Sequence, residues 1–167
     1  MSTGQLFITV GAIVLLTLVI LRINNVFFST SSVMLDTKFG VMAVSLGSSI
    51  IEEATSKAFD SATDTSSVSS LSSLTDPLNL GPESGEVYPN FNDFDDFNNF
   101  SKSTEGDSTF QSAVFNIKCK VVYVNPTNPD VPSSVKTWHK KLTVTVTSPS
   151  MSDTVKLSTI FSYWYFR

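Results

Sequence analysis

The chain has 167 residues, the length of one ordinary domain, but only 16% of them are charged and the mean hydropathy is slightly positive at +0.13. A single cysteine and a single histidine exclude an intrachain disulfide framework and any multi-thiolate metal centre. With seven glycines and no G-x-S-x-G, G-x-G-x-x-G or P-loop pattern, the sequence predicts no enzyme and no bound cofactor.

From Met1 to Leu21 there is no charged side chain; the first is Arg22, and the first proline is Pro77. The apolar run comprises Leu6, Phe7, Ile8, Val10, Ile13, Val14, Leu15, Leu16, Leu18, Val19, Ile20 and Leu21. As a helix it would cross a hydrocarbon core of about 30 Å at about 1.5 Å per residue. A cleaved secretory signal fits less well, because no basic residue precedes the run and Asn24-Asn25-Val26 is no cleavage site. Burial inside this chain's own body is excluded by the small size of the rest of the chain.

Helical spacing then continues through Leu35, Phe39, Met42, Leu46, Ile50, Ala54 and Ala58, widened by Met34, Val41, Val44 and Ile51. The pattern predicts one helix, or two nearly collinear ones, from near Thr3 to about Ala62, roughly 90 Å long. Such a helix needs apolar partners that the chain lacks, so the run from Leu6 to Leu21 together with Leu35, Phe39, Met42 and Leu46 is predicted to form an assembly core shared with other copies. Residues 1–62 are therefore read as a membrane or filament-core helix and stalk.

Residues 63–110 read as a linker followed by an acidic aromatic segment. Ser61 to Asp76 holds ten Ser/Thr in sixteen residues, the composition of an extended connection. Beyond Asp76-Pro77 and Gly81-Pro82 comes FNDFDDFNNF, where Phe91, Phe94, Phe97 and Phe100 recur at every third position. That period suits a short helix or turn series that lines up four rings for packing on the head or on a neighbouring subunit. Asp93, Asp95 and Asp96 offer the oxygen ligands that calcium takes, although the spacing is not that of an EF-hand loop. A disordered acidic loop is the third possibility. Asn99-Phe100-Ser101 also fits the glycosylation acceptor pattern.

Residues 111–167 predict a three-stranded antiparallel meander with one apolar face. Phe115, Ile117, Cys119, Val121 and Tyr123 alternate with polar residues, as do Leu142, Val144 and Val146, and then Val155, Leu157, Phe161 and Tyr163. In the last strand Ile160, Trp164 and Phe166 point the other way, which predicts either a central strand buried on both faces or a subunit contact. Cys119 falls in the inward set as an inert thiol, and His139 beside Lys140 and Lys141 reads as a surface or sheet-edge residue. Charge is segregated along the chain, with −3 over residues 1–76, −6 over residues 77–110 and +5 over residues 111–167. An acidic middle and a basic end could complement one another between subunits, or be solvated faces. An acidic chain with no aromatic platform predicts no nucleic-acid partner.

An uncharged Leu/Ile/Val-rich N-terminus that continues into a long amphipathic helix and then a β domain resembles the type IV pilin superfamily. The resemblance covers the layout of the whole chain. Gly4 stands where the family's cleavage-site glycine would, making Gln5 the first mature residue, but no Lys or Arg precedes it. Thr9 then takes the fifth mature position, where the family carries Glu. The resemblance implies an α+β fold, a long helix followed by a small antiparallel head. It also implies a structural role: a subunit held in the inner membrane, then polymerised into a surface filament with its helices in the core. The alternative expectation is a single-pass anchored module, or a membrane-complex subunit, whose β domain binds a partner.

Overall fold

A computed structural model describes residues 2–164, so the C-terminal Phe166, expected at a packing contact, lies outside the described residues. The chain divides into two compact units, residues 1–38 and 39–167. It is an α+β protein: a long N-terminal helix followed by a five-stranded antiparallel sheet.

Helix α1 runs from Thr3 to Thr55 without a proline to interrupt it. Its threonines fit an apolar helix because their hydroxyls donate back to carbonyls one turn earlier. Thr17 donates to Ile13 O at 2.9 Å, Thr30 to Val26 O at 2.9 Å and Thr37 to Val33 O at 2.8 Å. The helix stops seven residues short of the expected Ala62. The reason is a competing partner for the backbone: Ala58 N donates to Asn92 O at 3.2 Å and Phe94 N to Ala58 O at 2.9 Å, a short parallel bridge. A one-turn helix α2, Ser61–Asp64, restarts beyond it, with Asp60 as its N-cap and Thr63 closing a capping box.

In the second unit the strands are β1 Ser101–Ser103, β2 Asn116–Asn125, β3 Asn128–Pro132, β4 His139–Thr147 and β5 Val155–Ser162. The order is β1-β2-β4-β5, with β3 paired to the far end of β2, so the sheet exceeds the expected meander by two short strands. Cys119 sits opposite Val144, and Val144 opposite Leu157, so the inward sets of the three long strands lie side by side. β5 is an edge strand, which removes the reading of a central strand buried on both faces.

The stretch of α1 from Phe39 onward buries Phe39, Ala43, Gly47, Ile50 and Ala54 at steps of three and four. These pack in one core with Phe115, Ile117, Val121, Leu142, Val144 and Val146 of the sheet side. Gly47 marks the closest approach, since a Cβ there would lie 2.8 Å from Leu157 Cδ1. The Ser/Thr-rich segment is less free than its composition predicts. Val68 and Leu74 are buried with Phe59, Leu80 and Tyr123 in a second cluster.

Candidate functional site

Two features stand apart from ordinary domain packing. The first is the N-terminal stretch of α1, from Thr3 to Lys38, whose large apolar side chains are exposed. Leu6, Phe7, Ile8, Val10, Ile13, Val14, Leu15, Leu16, Leu18, Val19, Ile20 and Leu21 are all about half exposed or more, Ile8 reaching 73%. Val26, Phe27 and Phe28 prolong the apolar surface past Arg22, and Leu35 is exposed as well. By length and composition α1 is the one helix among the described residues able to cross a membrane, and it is compatible with transmembrane anchoring. The other assembly-core expectations are redirected. Phe39 is buried in the second unit's own core, its ring 6.5 Å from that of Phe115, and Met42 and Leu46 pack partly buried against the same cluster. They stop being available because the helix there already has a sheet to cover it.

The second feature is an ionic cluster inside the second unit. β4 alternates Lys140, Leu142, Val144 and Val146 inward, so Lys140 enters the core in register with three aliphatics. It lies between Tyr123 on β2 and Phe161 on β5, and its ammonium sits 4.6 Å from the ring centre of Phe59. Three acids are brought to it by the Ala58–Asp93 bridge, which aligns the segment ending at Asp60 with the turn Asp95–Phe97. Lys140 Nζ donates to Asp60 Oδ2 at 2.7 Å, to Phe59 O at 2.8 Å, and to Asp95 Oδ1. Lys140, Asp60, Asp93 and Asp95 are all wholly buried.

The acids differ in environment. Burial alone would raise Asp60, but the Lys140 charge and hydrogen bond, with the backbone N–H groups of Thr75 and Ala62, hold it below the ordinary carboxyl range. Asp93 has no cation of its own. Burial, with the neighbouring Asp95 and Asp96 carboxylates, pushes it from the ordinary 3.8 up to about 9. Asp95 is also raised, by burial first, against the pull of Lys140. Asp93 Oδ2 and Asp95 Oδ2 are buried with no hydrogen-bond partner among the described residues, an environment that favours the protonated form of Asp93. Tyr123 completes the cluster, donating its hydroxyl to Thr75 O at 2.8 Å.

Of the three calcium candidates, Asp95 meets the Lys140 ammonium and Asp93 lies buried beside it in the chain, its Oδ1 accepting the Asp95 and Asp96 N–H groups. Asp96 faces elsewhere, toward Glu83 and Glu86, and the nearest carboxyl oxygens of these three lie within 4.8 Å of one another, close enough to hold a metal ion. Asp96 Oδ2 accepts the N–H groups of Asn92 at 2.9 Å and Asp93 at 3.1 Å. Glu86 is pushed up to about 7, first by its hydrogen bond with Glu83 and then by desolvation.

The phenylalanine repeat packs inside the chain. Phe91, Phe94 and Phe97 are buried and Phe100 is partly so. Phe91, Phe97 and Phe100 form an edge-to-face group with centroids 5.2–5.9 Å apart. Phe94 leaves that group to meet Phe161 at 5.1 Å, because only Asp95–Phe97 holds a 3-10 turn. His139 is half-buried on β4, with Nδ1 2.7 Å from Ser162 Oγ. Cys119 is buried, and burial pushes its thiol up to about 12. On edge strand β5 Ile160 is exposed, and beyond it Trp164 is 73% exposed.

Sequence pattern marks the apolar helix and the aromatic repeat but not the ionic cluster. The period-two alignment of Lys140 with Leu142 is the signal that points to it. In comparisons with protein-family models, curated proteins and solved structures, nothing matches this chain.

Proposed function

We propose that this chain is the structural subunit of a pilin-like filament that assembles through its N-terminal helix, with a role in assembly and no catalytic chemistry. The observation that carries the reading is the apolar surface of residues 6–28, exposed all around a helix that continues into a folded α+β head domain. An apolar surface of that extent needs lipid or protein cover. In this reading the subunit waits in the inner membrane and then exchanges lipid for the helices of its neighbours at the cell surface. Its heads meet through exposed groups, among them Ile160 and Trp164 on the free edge and Lys118, Lys120 and Lys156 on the outer sheet face. Lys140 and Asp95 are spent within the chain, so intersubunit charge complementarity falls to other residues.

Purified surface filaments should contain this chain as their main component, seen by electron microscopy and peptide mass spectrometry of sheared material. Recovery only as a detergent-soluble monomer sinks the filament reading. That outcome would favour the second reading, a single-pass anchored module. It draws on the same helix, whose charge-free stretch ends at Arg22, about one bilayer thickness from its start.

A further inference from the structure

We infer that Lys140 and Asp95 are condensation partners, joined in the mature protein by an amide bond between Lys140 Nζ and Asp95 Cγ, with Asp93 as the acid–base group. The geometry holds the reactants together. Nζ is in hydrogen-bond contact with Asp95 Oδ1, both side chains are wholly buried, and the surrounding side chains include Phe59, Tyr123, Phe94 and Phe161. Fixed reactants of this kind show effective concentrations of about 10⁵–10⁸ M. Burial of both side chains disfavours their separated charges, and proton transfer within the pair gives the amine and the carboxylic acid, the forms that react.

The surroundings select Asp95 over Asp60. The Asp60 carboxylate accepts Ala62 N at 3.2 Å, Thr75 N at 3.0 Å and Thr75 Oγ1 at 3.2 Å besides Lys140, and a well-solvated anion resists a nucleophile. Asp95 has Lys140 on one oxygen, and its other oxygen, Oδ2, has no hydrogen-bond partner among the described residues. Asp93 is itself fixed, since its Oδ1 accepts the Asp95 N–H at 2.8 Å and the Asp96 N–H at 3.3 Å.

The reaction balances without any co-reactant. A proton passes from the ammonium to the Asp95 carboxylate, giving an amine and a carboxylic acid. Nζ attacks Cγ, the C–N bond forms, and the displaced electron pair on oxygen takes the Asp93 proton. The nitrogen returns one proton to Asp93. Asp93 then delivers that proton to the departing hydroxyl as the C–O bond breaks, and the re-forming carbonyl gives its own proton back to Asp93. One water leaves and Asp93 ends as it began. The remaining N–H can still donate to Phe59 O, now 2.8 Å away, or to Asp60 Oδ2, now 2.7 Å away. The product would tie β4 to the phenylalanine-repeat turn, the two partners being 45 residues apart in the chain.

Proteolysis and tandem mass spectrometry of the full-length wild-type protein test this directly. The expected result is a branched peptide joining the segments that contain Asp95 and Lys140, lighter by one water than the two separate peptides. Finding both segments only as unlinked peptides overturns the inference, as does a water loss that maps to Asp60. In Asp93→Asn that retains the wild-type circular dichroism, linking should slow by about 10²-fold or more, the usual contribution of a positioned acid–base group. Unchanged linking in that variant overturns the role of Asp93. If Asp93→Asn does not fold, the wild-type branched peptide alone decides whether the bond exists.

Discussion

A lysine and three aspartates inside a small sheet domain set the energetics at the level of single residues. Removing a buried charge from its partners typically costs about 3–5 kcal/mol, because the remaining ions keep their desolvation penalty. Asp93 gives this cluster a measurable pH signature. Its folded-state affinity for a proton is raised from the ordinary 3.8 to about 9, so the folded form keeps a proton that the unfolded chain releases. Stability should therefore fall as pH rises above the ordinary value and level off only beyond the raised one. Asp60 acts oppositely: its contribution is present above the ordinary 3.8 and is lost as pH falls through its lowered value. Chemical denaturation across the weakly acidic to alkaline range should thus show maximal stability in weak acid. Asp93→Asn should flatten the alkaline limb, and an unchanged limb in that variant would locate the dependence elsewhere. Asp95 reads in sequence as an oxygen ligand for a cation, and it does meet one: the ammonium of Lys140, supplied from β4 and 45 residues away in the chain.

For the helix and strands, packing explains where pattern and outcome part. The stripe drawn through Leu35, Phe39, Met42, Leu46, Ile50, Ala54 and Ala58 shares Phe39, Ile50 and Ala54 with the buried line facing the sheet, but at the centre of that line stand Ala43 and Gly47. Small residues win the centre because the helix comes close enough to the sheet for Leu157 to fill the space over Gly47. Gly47→Leu should consequently cost about 1–3 kcal/mol through overpacking. At Gly40 an added Cβ would meet nothing within 4 Å, so Gly40→Ala should instead gain up to about 1 kcal/mol from helix propensity. Urea titration of the two variants separates these effects, and equal destabilisation by both would contradict the close approach. The strands were legible at their inward positions because period two is a local property. The helix end at Thr55 was not, since it depends on Ala58 finding Asn92 and Phe94.

Across the molecule, the two units differ in what they need from outside. The unit of residues 39–167 buries two apolar clusters, whereas the unit of residues 1–38 presents exposed apolar side chains from Leu6 to Leu35. A fragment of residues 39–167 should be soluble without detergent, and size-exclusion chromatography should find it monomeric. The full chain should need detergent or self-association. A fragment that aggregates as strongly as the full chain would show that its own surface also demands a partner.

Composition and order along the chain were enough to establish the long helix with its charge-free start and the alternating strands, because hydrophobic periodicity and missing charges act locally. Folding in three dimensions settled which face of the helix met the sheet, where the helix stopped and which acids met Lys140. Those outcomes depend on contacts between residues distant in sequence, where steric fit and desolvation act on atoms that no local pattern brings together.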